Sequence, residues 1–343
     1  MKILHIIYCM GIGGAQTMLV DIMNEQVKND EVHLVVINSF YNNDLLKDIS
    51  SDIKIHRIER KQGSRNPIDI IHLNLLLWKL KPNIVHAHDS SIVKLLFLRK
   101  IPICLTVHDT GLDSRYYNKY NAIIAISKAV NEDIKLRSDY DSVIIPNGIC
   151  TDKILKRDRI IKKNKYKIVQ VSRLALPKKG QDILIEAIKL LNDKGYKNIC
   201  LDLIGRGKSE SELKTLVKRL SVEDVVSFLG LKSRGYIYQH LCDYDLFVQP
   251  SRNEGFGLTV AEAIAAKVPV LVSNIEGPME IIENGKYGFY FSSGSIEECA
   301  QMIEKKYLNK VSIDTSLALK HIKEMYDISV TVNRYRNVYN QIV

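Results

Sequence analysis

Glu254 and Glu262 stand with seven residues between them in PSRNEGFGLTVAEA, residues 250–263. Pro250 ends an apolar run, Asn253-Glu254-Gly255-Phe256-Gly257 has the composition of a tight loop, and a helix is predicted from about Leu258. The first N–H groups of a helix have no intrahelical acceptor and favour an anion. Glu254 then lies in the loop beside that anion, and Glu262 about one turn into the helix on the same side. They are not a helix-face pair. Two carboxylates so placed suit hydroxyls on opposite sides of a bound phosphate, such as a sugar and a ribose. Either one alone reads equally well as a cap or a solvated charge, but that reading explains the pair less well. Upstream, VSRLALPKKGQD puts Arg173, Lys178 and Lys179 between a strand and a helix. Fixed cations there meet the charge of a diphosphate without a metal; a plain surface loop is the alternative.

Further candidates follow other apolar runs. YCMGIGGAQTM places Gly11, Gly13 and Gly14 before a helix, where a backbone can approach a ligand closely. The spacing is not G-x-G-x-x-G, because position 16 is Gln, and the next strand ends in Asn38 rather than an acid, which argues against a nicotinamide dinucleotide. NIVHAHDS and CLTVHDTG place His86, His88, His108 and Asp109 near strand ends, and a histidine such as His108 can donate to a sugar hydroxyl. GRGKSE lacks the first glycine of a phosphate loop, with Asp202 in its place, and both DYD triplets (139–141 and 243–245) precede strands, so structural roles are expected for them.

These residues need a scaffold. Short runs rich in Ile and Val at 3–7, 32–37, 83–87, 102–107, 122–126 and 143–145 alternate with helical stretches such as AQTMLVDIMNEQV and IDIIHLNLLLWKL. That pattern implies an α/β fold with a parallel sheet covered on both faces. Eight of the fifteen residues from 153 to 167 are Lys or Arg, which reads as a solvated connector. A second alternation runs from 168, and ISVTVNRYRNVYNQIV reads as a final helix. The expectation is two tandem doubly wound Rossmann-like domains facing a cleft: 1–150, joined by a C-terminal helix at about 328–343, and 151–327. Ligands of such sheets sit beyond the carboxyl ends of the strands.

At 343 residues, 46% hydrophobic and 26% charged, the chain has the composition of a soluble globular protein. The net charge of +10 is uneven, +2 over residues 1–150 and +8 over 151–343, and suits anionic partners or a solubilising surface. The basic excess is strongest in the connector and no recognised module accompanies it, so nucleic acid is not an expected partner. Six scattered cysteines have no C-x-x-C spacing, which argues against a zinc site or redox motif and suggests buried, reduced thiols. No apolar stretch is long enough to span a membrane, and MKILHIIYCM reads as a buried first strand rather than a signal peptide.

On GIGGAQ, VHAHD, LTVHD, IIAISKAV, IIPNGI, VSRLALPKKGQDILIEAI, LIGRG, VVSFLG and PSRNEGFGLTVAEAIAAKVPVLVS the chain resembles the GT-B-fold glycosyltransferases of family GT4 over nearly its full length. The last segment carries the specific E-x7-E signature; the N-terminal motifs are looser. The resemblance implies that Glu254 holds donor-sugar hydroxyls, Glu262 the ribose, and Arg173 with Lys179 the leaving diphosphate. It implies that N–H groups of Phe256, Gly257 and Leu258, beside Gly255, cradle the diphosphate. Gly13 and Gly14 would approach the donor, His108 would sit near the reacting sugar, and the backbone around Phe228, Leu229 and Gly230 would line the base. The final helix would cross back to the first domain. Three departures stand out: the arginine–lysine loop is one residue longer than the commonest spacing, so Lys178 is an alternative to Lys179; Cys150 stands where Asp is usual; Gln16 replaces a frequent Glu.

The implied activity is retaining transfer of a hexose-type sugar from a UDP- or GDP-sugar to a glycan or lipid-linked acceptor, with no cofactor and no metal, in surface polysaccharide synthesis. Cations and a helix N-terminus would meet the leaving-group charge, and domain closure would exclude water. A cytoplasmic location is expected, with peripheral contact of VKLLFLRK and RKQGSRNP on the inner face of the membrane; an ordinary surface helix and loop is the competing reading. A non-catalytic nucleotide-sugar-binding protein or a nucleotide-sugar epimerase of the same fold are the rival functions.

Overall fold

The computed structural model describes all residues except 12, 65, 98–100 and 159–163. Its contacts divide the chain into two units, Met1–Ile149 with Asp327–Val343, and Cys150–Tyr326.

The first unit has seven strands: β1 (Lys2–Ile7), β2 (Glu31–Asn38), β3 (Lys54–Arg60), β4 (Ile84–Ala87), β5 (Ile103–Val107), β6 (Ala122–Ala125) and β7 (Val143–Ile144). All their pairings are parallel, in the order β3-β2-β1-β4-β5-β6-β7. The inner strands are continuous apolar runs because both faces are covered. The sequence reading passed over β3. This edge strand, KIHRIER, alternates partly buried and exposed residues, and its charges interrupt the apolar run. The helices are α1 (Gly14–Gln26), α2 (Asn43–Lys47), α3 (Pro67–Leu80) and α4 (Lys128–Arg137). Asn66 caps α3 at the Ile68 N–H, with Pro67 in the first turn, and Ser127 caps α4 at the Val130 N–H.

The second unit runs β8 (Tyr166–Val171), α5 (Gln181–Asp193), β9 (Ile199–Ile204), α6 (Glu210–Arg219), β10 (Val226–Gly230), α7 (Arg234–His240), β11 (Leu246–Gln249), α8 (Leu258–Ala265), β12 (Val270–Ser273), α9 (Glu276–Ile281), β13 (Phe289–Phe291), α10 (Ile296–Tyr307) and α11 (Thr315–Tyr326). Its sheet is also parallel, in the order β10-β9-β8-β11-β12-β13. The amphipathic face of α5 (Ile183, Leu184, Ala187, Ile188, Leu191) fills the core with β8 and β9. The connector is less solvated than its composition suggests. Ile154 is buried, Leu155 N–H donates to Tyr238, and Arg157 donates to the Tyr244 carbonyl and to Asp245 at 2.9 and 2.7 Å. Its residues 159–163 lie outside the described residues. The cysteines also depart from expectation: all six are free, but only Cys104 and Cys299 are buried.

The last helix, α12 (Ile328–Ile342), belongs to the first unit and packs on α1. Asp327 caps it, Thr331 donates to the Pro146 carbonyl at 3.0 Å, and Tyr335 and Tyr339 are wholly buried. Gly148 makes this approach possible. A Cβ there would fall 2.6 Å from Thr331 Oγ1 and 2.9 Å from Ile328 Cα. Gly148→Ala should therefore cost about 1–3 kcal/mol of stability. Urea unfolding checks this, and an unchanged midpoint would show that the contact has room to yield.

Candidate functional site

In each unit the strand order reverses once, between β1 and β4 and between β8 and β11. Ligands of open parallel sheets bind beyond the strand ends at such switch points. In the second unit the β8 end leads through Arg173, Lys178 and Lys179 to α5, and the β11 end leads through Glu254 to α8.

The two loops are locked together. Gly180 begins α5 with φ +66°, and a Cβ there would lie 1.9 Å from the Pro250 carbonyl oxygen. Arg252 forks onto Asp182 at 2.9 and 2.7 Å and donates to the Pro177 carbonyl, while its own N–H and that of Asn253 donate to the Lys178 carbonyl. This packing delivers Lys179 Nζ to Glu254 Oε2 at 2.5 Å, both side chains being mostly buried. The same carboxylate oxygen accepts from Gln249 Nε2 at 3.1 Å and Ser251 Oγ at 3.5 Å. Lys179 and Glu254 form one ion pair, and Arg173 is the exposed cation of the loop.

Beyond Glu254 and Gly255, Phe256 is buried against the Tyr326 ring, and Gly257 turns the chain at φ +105° into α8. Among the described residues no side chain caps α8, and a helix start of this kind, Leu258 first, suits an anion. Gly277 of α9 supports the loop: a Cβ there would lie 2.7 Å from the Glu254 carbonyl oxygen and 2.9 Å from Phe256 N. Glu262, the fifth residue of α8, is buried and takes part in a polar interaction. Phe228, Leu229 and Gly230 end β10 partly exposed, and the Gly230 carbonyl accepts from Gly205 N–H. Asp245 of the second DYD is occupied by Arg157 and by the Lys167 N–H. Cys150 is partly exposed at the head of a single 3-10 turn, Thr151–Lys153.

In the first unit, Gly13 precedes α1 and Gly14 opens it. The Gln16 side chain lies over Gly13, its Oε1 2.5 Å from where a Cβ would be. His108 follows β5, and it is the end of a chain the sequence did not reveal. Its Nε2 is 3.0 Å from His88 Nδ1; His88 Nε2 is 3.1 Å from His5 Nδ1; His5 Nε2 is 2.7 Å from Gln26 Oε1. His86 stacks on His88 and bonds Tyr339 and Thr106, both at 2.7 Å. The available signal was His5, a polar residue inside the first apolar run. Burial pushes His5 and His108 down to about 4, and holds His86 and His88 well below the ordinary histidine value.

The chain matches the model of the glycosyl transferases group 1 over residues 152–324 and that of glycosyltransferase family 4 over residues 12–153. It is 25% identical to an uncharacterized glycosyltransferase of Methanocaldococcus jannaschii, covering 98% of this chain and 97% of that one. It is 24% identical to the N-acetyl-alpha-D-glucosaminyl L-malate synthase of Bacillus anthracis, covering 94% and 86%. The structure of Anabaena HepE in complex with UDP and glucose superposes with a TM-score of 0.81 at 21% identity, over 99% of both chains. Two parallel-sheet Rossmann-like units of this kind define the GT-B fold. The chain belongs to the glycosyl transferases group 1 and is a glycosyltransferase of the GT4 type.

The buried histidines make the first unit acid-sensitive. Above pH 6.5 folded and unfolded chains both keep them neutral. As pH falls from about 6.5 towards 4, the unfolded chain takes up protons that His5 and His108 refuse in the folded state. Stability is therefore complete above this window and is lost through it. Hydrogen exchange of the β1, β4 and β5 amides at pH 7.5, 6 and 5 should show falling protection free energy, corrected for intrinsic rates; a flat profile would contradict the assignment.

Proposed function

We propose that this glycosyltransferase moves a hexose-type sugar from a UDP- or GDP-sugar to a glycan or lipid-linked acceptor, with retention and without a metal, in surface polysaccharide or glycolipid synthesis. The observation that carries the reading is the uncapped N-terminus of α8 behind Gly257, with the Lys179–Glu254 pair beside it at a strand-order switch point. HepE of Anabaena, a protein of this fold, holds UDP and glucose.

In this reading the N–H groups of Phe256, Gly257 and Leu258 receive the diphosphate. Arg173, with Lys179 or Lys178, meets the charge that grows as the sugar–phosphate bond breaks, and fixed donors of this kind need no reorganisation during the reaction. Glu254, held by Lys179, Gln249 and Ser251, turns its remaining acceptor capacity to sugar hydroxyls. Glu262 takes the ribose, and the backbone at Phe228, Leu229 and Gly230 faces the base. The family resemblance adds Gly13, Gly14 and His108 as donor-contacting residues. The acceptor hydroxyl attacks on the face the diphosphate leaves, and a diphosphate oxygen takes its proton.

A thermal-shift panel of UDP, GDP, ADP and CMP and their sugars tests the donor site, since a ligand of the native state raises the melting temperature by mass action. One nucleotide should raise it in the wild type and fail to do so in Glu262→Ala. No rise with any of them would count against the site.

An anionic lipid surface is the proposed second partner. No helix among the described residues is long and apolar enough to cross a membrane. However, Ile68, Ile71, Leu75 and Trp78 form one stripe along α3, each at least half exposed. Asn74 bonds the Leu95 carbonyl and the Phe97 N–H, holding exposed Phe97 near the stripe. Lys94 of the adjoining turn, Arg115 and Lys119 gather 4.6–5.8 Å from the Tyr116 ring. Apolar stripe and cations together suit partial insertion among acidic headgroups. Residues 65 and 98–100 of the segments first singled out lie outside the described residues. Trp78 is the single tryptophan of the chain. Its emission should shift to the blue on vesicles containing phosphatidylglycerol, less so at high salt, and Leu75→Asp should weaken binding. Absence of binding at any salt, or self-association through α3 instead, would overturn this partner.

A further inference from the structure

We infer that Gln26, His5 and His88 are positioning residues that fix which ring nitrogen of His108 carries its proton, leaving Nδ1 as a bare hydrogen-bond acceptor. The inference rests, for its use in catalysis, on the reading of His108 as a donor-site residue.

A neutral imidazole has one N–H and one lone pair, so each hydrogen bond in a row of imidazoles dictates the next. Four histidine rings lie with neighbouring centroids 4.5–5.4 Å apart in the first unit, three of them (His5, His86 and His88) buried, an arrangement that disfavours shared positive charge. The far end of the row is Gln26, whose Nε2 donates to Tyr339 O–H at 3.2 Å and whose Oε1 faces His5 Nε2. Oε1 can only accept, so His5 carries its proton on Nε2. His5 Nδ1 then accepts from His88 Nε2–H, and His88 Nδ1 accepts from His108 Nε2–H. What remains on His108 is the lone pair of Nδ1. That atom is shielded from solvent and has no hydrogen-bond partner among the described residues. The branch through Tyr339 agrees: its hydroxyl donates to His86 Nδ1, and His86 Nε2–H donates to Thr106 Oγ1. All four rings then carry Nε2–H, the intrinsically favoured tautomer of a neutral histidine side chain.

His5, His86 and His88 have nitrogens close enough together to ligate a metal, but both ring nitrogens of each already have a partner in this network. The network accounts for all six; a metal would have to break it. An acceptor at His108 Nδ1 selects a hydroxyl on the ligand and repels a carbonyl. Turning the Gln26 amide over would move every proton one nitrogen along the row and present N–H instead.

The test is long-range 1H–15N correlation on the full-length protein with 15N-labelled histidine, His108 being assigned through His108→Gln. In the wild type its Nδ1 should resonate as an unprotonated nitrogen and its Nε2 as a protonated one. Gln26→Glu, whose carboxylate only accepts, should keep that pattern; Gln26→Leu should move the His108 signals towards a tautomer average. A protonated Nδ1 in the wild type, which needs no variant to fold, overturns the inference, as does an unchanged spectrum in a folded Gln26→Leu. Donor kinetics separate the two readings. If Gln26→Leu shifts the tautomers but leaves KM for the donor unaltered, the relay stands and the donor-site role of His108 falls.

Discussion

The close approach of Gly180 to the Pro250 carbonyl governs the second unit. Only a residue without a side chain fits there, and only one that tolerates positive φ. That contact starts α5 against the end of β11, so two loops from neighbouring strands of the sheet share one surface. The Lys179–Glu254 pair, the Arg252 fork on Asp182 and the open start of α8 all follow from it. A mostly buried ion pair is poor evidence for stability, because desolvation offsets much of its attraction. Its value here is position: the lysine and two neutral donors all meet one carboxylate oxygen and so orient the Glu254 side chain.

The first unit is built by the same topology but a different chemistry. Its switch point is lined with neutral imidazoles rather than ions. Burial suppresses their charge, and hydrogen bonds running from α1 and α12 through β1 to the end of β5 set their orientation. One switch point is charged and the other holds uncharged hydrogen-bonding groups. Both are products of which residues end a strand.

Much of this was legible in the sequence because parallel strands buried on both faces read as unbroken apolar runs. A helix was legible after Lys179, where α5 runs, and another from about Leu258, where α8 starts. β3 was not, since an edge strand has one exposed side and its charges disguise it. α11, residues 315–326, was also passed over, lying in a stretch with no motif to draw attention. Spacing placed Glu254 and Lys179 at strand ends, but not the distance between them, which depends on packing at Gly180. The histidine row was invisible for a related reason. His5 on β1, Gln26 on α1, and His88 and His108 just after β4 and β5 become neighbours only when β1, β4 and β5 lie side by side.

The return of α12 has a consequence for how the chain is made. The first unit needs Tyr335 and Tyr339, wholly buried and synthesised only after the second unit, which is continuous from Cys150 to Tyr326. Domains fold as units once their sequence is available during synthesis. The second unit is thus complete while the first, though begun earlier, still waits for its closing helix. Until that helix arrives, Gln26 and His86 have no Tyr339 hydroxyl to bind, and of the two units the one begun earlier is completed later.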